Sequence, residues 1–285
     1  MRARLTFALV GLAGTALAQT SLPTTPPSDG SGIERLSTGG YWESGVGRPF
    51  VAGSLELGWT YVRPRIAAGY GRPYYRWLGV EAAPLGSTSG AGAYVGAKGQ
   101  MPYFEMRAGA RYFAPIARSL FPARESQDWI DIERRDGPSA TYVALESELS
   151  GAVPIAGGGP FWMLTAYYVS DLPDGYHLFE ESLKVVIDPP WVWRFRVGYA
   201  ARFGKYDAIS LGVAQENLVL PGRGRHVLRA GLIASVRVTD NLDAQLSILP
   251  VLHGPDTIGL DGADFGQLGV RWRFATGMPK QPPSF

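Results

Sequence analysis

The side chains that could do covalent or metal chemistry are few. The chain has three histidines, His177, His226 and His253, and no cysteine. A zinc–thiolate site, a thiol nucleophile and a disulfide framework are therefore excluded. A serine or threonine nucleophile needs an imidazole within hydrogen-bond reach and a third group to orient it. No His-x-Ser occurs in the chain. His226 falls on the apolar face of its segment or at its edge. His253 stands beside Gly254, Pro255 and Asp256, and His177 lies beside a turn containing Asp174. These are read as loop or interface histidines, and no enzyme activity is expected. No phosphate loop, dinucleotide fingerprint or calcium loop is present. Asp261 and Asp264 could touch a cation, but a solvated loop is the better reading of them. No metal and no cofactor is expected.

The charges that do recur at a regular spacing are arginines. In the segment WVWRFRVGYAARF, residues 191–203, Trp191, Trp193, Phe195, Val197, Tyr199, Ala201 and Phe203 alternate with a set containing Arg194, Arg196 and Arg202. A period of two puts these sets on opposite faces of one strand. A soluble sheet would bury the rings and show the guanidiniums to water. A membrane barrel does the reverse, with rings to lipid and arginines to the lumen.

The same alternation runs through the chain. Segments near 103–113, 140–153, 161–170, 176–187, 209–216, 228–237, 242–248 and 268–274 read as strands, with weaker ones at 77–83 and 90–97. A first strand begins near Val51 and is disturbed by Pro64, since proline removes a ladder donor; 66–70 reads as its continuation past a bend or as a separate strand. This gives about twelve strands, many of 10–13 residues, longer than the ~5–6 usual in soluble sheets. The segment 114–139 has no clear alternation; a loop this long is functional or disordered. The fold class expected is all-β, a transmembrane antiparallel up-and-down β-barrel spanning 50–274.

Composition agrees. The chain has 285 residues, 46% hydrophobic and 18% charged, with net charge +2, 37 glycines and 14 tyrosines. The near-neutral charge gives no reason to expect nucleic acid. Residues 1–18 read as a secretory signal: Arg2 and Arg4, then a short apolar run, then Ala16-Leu17-Ala18. Residues 19–49, rich in Pro, Ser, Thr and Gly, read as a flexible periplasmic leader, and 275–285 as a C-terminal tail. No apolar run of 18 residues follows the signal, so any membrane span is a strand.

The last strand, FGQLGVRWRF at 265–274, resembles the closing strand of Gram-negative outer-membrane β-barrel proteins, and the resemblance extends in architecture over 51–274. It implies an outer-membrane location and a lipid bilayer as partner. It also implies that Trp272 and the outward Phe274 serve as the signal read by the barrel-assembly machinery. The tail after Phe274 departs from the pattern, in which the chain stops at the aromatic. The resemblance implies no particular activity.

On this reading the lumen receives Glu105, Arg107, Arg111, Glu146, Glu148, Lys184, Arg194, Arg196, Arg202, Glu216, Arg229, Arg237, Asp243, Arg271 and Arg273, with Glu56 and Glu180. Cations are in excess, so an open lumen would weakly favour anions. Porin-like passage of small polar solutes is the function expected. The alternatives are a closed structural or interaction barrel and a secreted soluble barrel of lipocalin type. With both ends in the periplasm, 204–206 and 239–241 become periplasmic turns, and 217–225 and 252–263 outer loops. The segment 114–139 then falls on the periplasmic side, either as a plug or because the strand count before it is off by one. Three-residue turns would set Arg237 opposite Asp243 and Arg194 opposite Glu216, two cross-strand ion pairs.

Overall fold

A computed structural model describes residues 46–277, apart from 59–60, 88–89, 117–118, 135, 154, 156, 171, 181, 205–207, 240 and 264–268. The segment read as a signal, most of the one read as a leader and most of the one read as a tail lie outside the described residues, as does Asp264. The first strand already begins at Arg48, inside the segment read as leader.

Twelve antiparallel strands close on themselves. In chain order they are β1 (Arg48–Gly58), β2 (Tyr61–Arg72), β3 (Arg76–Ser87), β4 (Gly90–Met101), β5 (Phe104–Pro115), β7 (Tyr142–Ala152), β8 (Gly158–Ser170), β11 (Trp191–Phe203), β12 (Ile209–Leu220), β13 (Arg225–Arg237), β14 (Leu242–Ile248) with its continuation β15 (Val251–His253), and β16 (Gly269–Ala275). Each pairs with its neighbour, β12 pairs with β13, and β16 pairs with β1 to complete the ring. β14 and β15 count as one strand because both pair with β13. Closure removes every free sheet edge, which a strand in hydrocarbon requires.

The strand count agrees with the sequence, and two changes in its make-up offset each other. Residues 61–72 form a full strand of their own. Pro64 lies inside it, opposite Leu55 of β1. Its missing N–H interrupts the ladder to β3 at 63–65, which resumes in the same register. In the other direction, 176–187 is not a wall strand. It folds into β9 (Tyr176–Glu180) and β10 (Val185–Ile187), which pair with β6 (Leu120–Pro122) in a separate three-stranded sheet, order β10-β9-β6.

Adding a strand before it moves 114–139 to the other end of the barrel. The connections at 73–75, 102–103, 153–157, 204–208 and 238–241, with both ends of the described chain, gather at one rim. The long ones, 116–141, 171–190 and 254–268, gather at the other. Short periplasmic turns and long external loops are the pattern of outer-membrane barrels. The segment 114–139 therefore lies at the rim of the long connections, and its β6 contributes to a plug.

Outside the barrel, large apolar residues stand open: Ile66, Leu78 at 67%, Val95, Val213 and Leu232. Rings gather at the rims. Trp191 stacks on Trp193 at 5.8 Å and meets Tyr168 at 5.0 Å on the outer side, while Trp272 and Phe274 lie 5.2 Å apart on the inner side. An apolar belt of this extent has no place on a soluble protein, so the lipocalin-type alternative is excluded.

Trypsin added to intact cells should cut after the exposed Arg124 in the external segment. Cleavage there only after the protease is given access to the periplasm would invert the orientation.

Candidate functional site

The inner face carries what the outer face lacks. The largest side chains of 2% exposure or less include Arg111, Arg194, Arg196 and Arg229. Isolated charges are not buried at this depth; they are paired. On β1 and β2, Glu56 faces Arg63 at 3.3 Å and Arg65 at 3.8 Å. On β3, Glu81 lies between Arg65 at 3.7 Å and Arg107 of β5 at 3.6 Å. Arg107 continues to Glu148 of β7 at 3.1 Å. Arg194 of β11 stands between Glu148 at 4.0 Å and Glu216 of β12 at 3.9 Å. Glu216 is bonded as well by Arg196 and by Arg229 of β13 at 2.8 Å. The ladder thus alternates in sign around most of the circumference. Lys98 joins it through Glu105 at 2.8 Å. On the remaining arc, Asp243 binds Arg271 and Arg273, each at 2.9 Å.

Glycine lets one large ring lie across this layer. A Cβ on Gly96 would sit 1.9 Å from the Tyr94 hydroxyl, and one on Gly109 would sit 2.5 Å from it. Any side chain at either position would displace the Tyr94 ring, which is buried and faces inward.

This arrangement is decisive. The chain is a twelve-stranded transmembrane β-barrel. Rings face lipid, guanidiniums face the lumen, and the strands, most of them 11–13 residues long, are long enough to cross the bilayer at a tilt. No protein-family model matches the chain, and no curated protein matches it. Among solved structures it is similar to OmpTdeltaL8, the loop L8 deletion mutant of OmpT, an outer membrane protein of Vibrio cholerae. That similarity has 11% identity and a TM-score of 0.29, over 80% of this chain and 99% of the other.

The outer half of the barrel is closed by the β6–β9–β10 sheet. Leu120, Leu178, Val185 and Ile187 point down onto the inward residues Phe113, Tyr142, Tyr167, Val192 and Leu218. Phe121, Phe179 and Val186 point up into a second core with Ile132 and Ile258. Ile132 comes from a one-turn helix, α1 (Trp129–Arg134). Asp128 and Asp131 cap it reciprocally, each side chain accepting from the other's backbone N–H at 2.9 and 3.0 Å. Glu180 fastens the cap to the wall. It accepts from Arg111 at 3.0 Å and from the Tyr142 hydroxyl at 2.9 Å. Arg111 is held in turn by Glu146.

At the periplasmic mouth a cavity of about 100 Å³ remains, lined among others by Tyr74, Trp77, Lys98, Gln100, Arg271 and Arg273. Glu56, Arg65 and Glu81 also line it, so it ends on the ladder. The barrel is a cup that opens at the rim of the short turns.

Of the charges read from sequence as lumenal, Glu105, Arg107, Arg111, Glu146, Glu148, Arg194, Arg196, Arg202, Glu216, Arg229, Arg237, Asp243, Arg271 and Arg273 lie on the inward sets of wall strands. Lys184 does not. It sits in the tight turn between β9 and β10 with φ +53°, and its carbonyl accepts from Arg229 at 2.7 Å. Glu180 reaches the lumen from the cap, not from the wall. Arg237 is opposite Asp243 as expected, and Asp243 is further paired to Arg271 and Arg273. Glu216 is opposite Arg196, while Arg194 is opposite Leu218. The turn there runs over 204–208, two residues longer than expected, so every facing is kept and the partner moves by two. Arg63, Arg65, Glu81 and Lys98 were missed. Their signal was the continuation of the alternation through Pro64 and through the glycine-rich third and fourth strands.

Glu216→Gln should be costly, because three guanidiniums lose their shared counter-charge. Breaking a buried pair costs about 3–5 kcal/mol. Exposed Glu125→Gln should stay within ~0.5 kcal/mol. Urea titration of the folded barrel in lipid vesicles compares them.

Proposed function

We propose that this barrel is shut at rest and acts in the outer membrane as a structural or interaction element, without steady passage of solutes. The observation that carries the reading is the burial of Arg194, Arg196, Arg229, Glu148 and Glu216, at 2% exposure or less, across the barrel's interior. Side chains lining a water-filled pore would be wet. The cap over the outer half supports the same reading.

A second reading keeps porin-like passage of small polar solutes. It is favoured by the inward charge, in which arginines and lysines outnumber carboxylates. A barrel that opened would then pass anions in preference to cations.

The three histidines favour no hydrolytic role. His177 is buried within the cap, and His226 and His253 face each other at 5.1 Å between ring centroids. We further propose that Trp272 and Phe274, exposed on β16 at the inner rim, are the feature read by the barrel-assembly machinery.

Planar-bilayer recording at neutral pH should show no steady current after insertion. Ohmic conductance with anion preference would replace the first reading by the second, and clear cation preference would contradict both.

A further inference from the structure

On its upper side the cap is tied down by a buried ion pair to which no wall strand contributes. Arg223, in the 3-10 turn Pro221–Arg223, is bonded to both oxygens of Asp256, at 2.6 and 2.8 Å. Both side chains are 3% exposed. The other bonds of Arg223 run to the carbonyls of Val186 on β10 at 3.3 Å and Glu125 at 3.0 Å. Asp256 accepts from the Gln127 N–H at 3.0 Å. Thr257 donates its N–H to the Gln127 carbonyl at 2.9 Å. One guanidinium–carboxylate pair therefore joins the turn at 221–223, the loop at 254–257, the loop at 123–128 and the plug sheet.

His177 lies in this knot. It pairs with Phe121 across β6 and β9, on the upper face of the sheet. The Gln127 side-chain amide donates to the Pro122 carbonyl at 2.9 Å and approaches His177 Nδ1 at 3.5 Å. An amide donor on Nδ1 requires that nitrogen to be unprotonated. The charged groups around the ring come from three other elements: Arg223 from the 3-10 turn, Asp188 from the segment before β11, and Asp256 from the outer loop. On its own strand Glu180 points to the opposite face, toward Arg111.

We propose that the outer cap is a proton-released latch, in which His177 becomes charged beside Arg223 and frees the plug sheet from the loops that hold it. Charging puts a second N–H against the Gln127 amide and a second cation beside Arg223, inside a buried site. Asp188 and Asp256 oppose the effect without reversing it. Burial first, and the Arg223 charge second, hold the His177 pKa below its ordinary value. The sign follows: the closed cap binds its proton less readily than the open one. Its stability is complete above the ordinary histidine value of about 6.5 and declines as pH falls below it. The proposal rests on the closed-barrel reading and adds what opens it.

The test is hydrogen exchange by mass spectrometry on the full chain in lipid vesicles, at about pH 7.5 and about pH 5, with labelling times scaled for the intrinsic pH dependence of exchange. Segment 176–187 should exchange at least about tenfold faster at the lower pH, while Trp191–Phe203 stays protected at both and serves as the internal reference. His177→Gln, which stays neutral, should keep the segment slow at both pH values. Asp256→Asn should make it fast at both. Equal protection of wild type at the two pH values, or an acid response that survives His177→Gln, overturns the latch. Steady conductance at neutral pH overturns the closed-barrel reading instead, whatever the exchange shows.

Discussion

The structure depends on the pairing of guanidinium groups in a space that is not bulk water. A strand that gives its rings to lipid must give its alternate residues to the lumen, because the period of two allows nothing else. Where those residues are arginines, the barrel needs a carboxylate within reach of each cluster. Glu216 shows the constraint most sharply. One carboxylate on β12 serves Arg194 and Arg196 of β11 and Arg229 of β13. Register on both sides of β12 is thereby tied to charge. A slip by one residue would turn Glu216 to lipid and leave the guanidiniums unpaired.

The ladder also explains how a wall of aliphatic and glycine residues supports a plug. At the rim of the short turns the lumen opens as a cup. Across its middle the charges are paired with one another. Above them the inward residues turn apolar, and the cap sheet sits on Leu120, Leu178, Val185 and Ile187. Arg111 is the joint between the last two layers, since it binds Glu146 of the wall and Glu180 of the cap. The cap is therefore held from below by charge and apolar contact, and from above by the Arg223–Asp256 pair. The two attachments use different side chains and grip opposite faces of the same sheet.

Much of this was legible in the sequence, for a physical reason. A β-barrel wall writes its inside and outside directly into alternate residues, and the facings of β5, β7, β11, β12, β13 and β16 could be read off in that way. Pro64 in β2 leaves a bend and a separate strand equally open in the sequence, because a missing donor marks both, and only the ladder to β3 is in fact broken. The apolar and charged alternation at 176–187 was real, but it belongs to a sheet with two covered faces inside the barrel. Local periodicity does not distinguish a small plug sheet from a wall. The pairing of Arg196 rather than Arg194 with Glu216 turned on two residues of turn length, which the strand pattern does not set. The Arg223–Asp256 pair joins loops far apart in the chain, with no periodic signal to announce it.

The central claim is that the inward arginines are shut away from solvent. Phenylglyoxal footprinting of the folded barrel in vesicles permeable to the reagent, read by mass spectrometry, tests it directly. Arg76 and Arg124, both exposed, should be modified, while Arg111, Arg194, Arg196 and Arg229 stay unmodified until the barrel is unfolded. Modification of the ladder arginines at the rate of Arg124 in the folded protein would mean an open, water-filled lumen and would contradict the account.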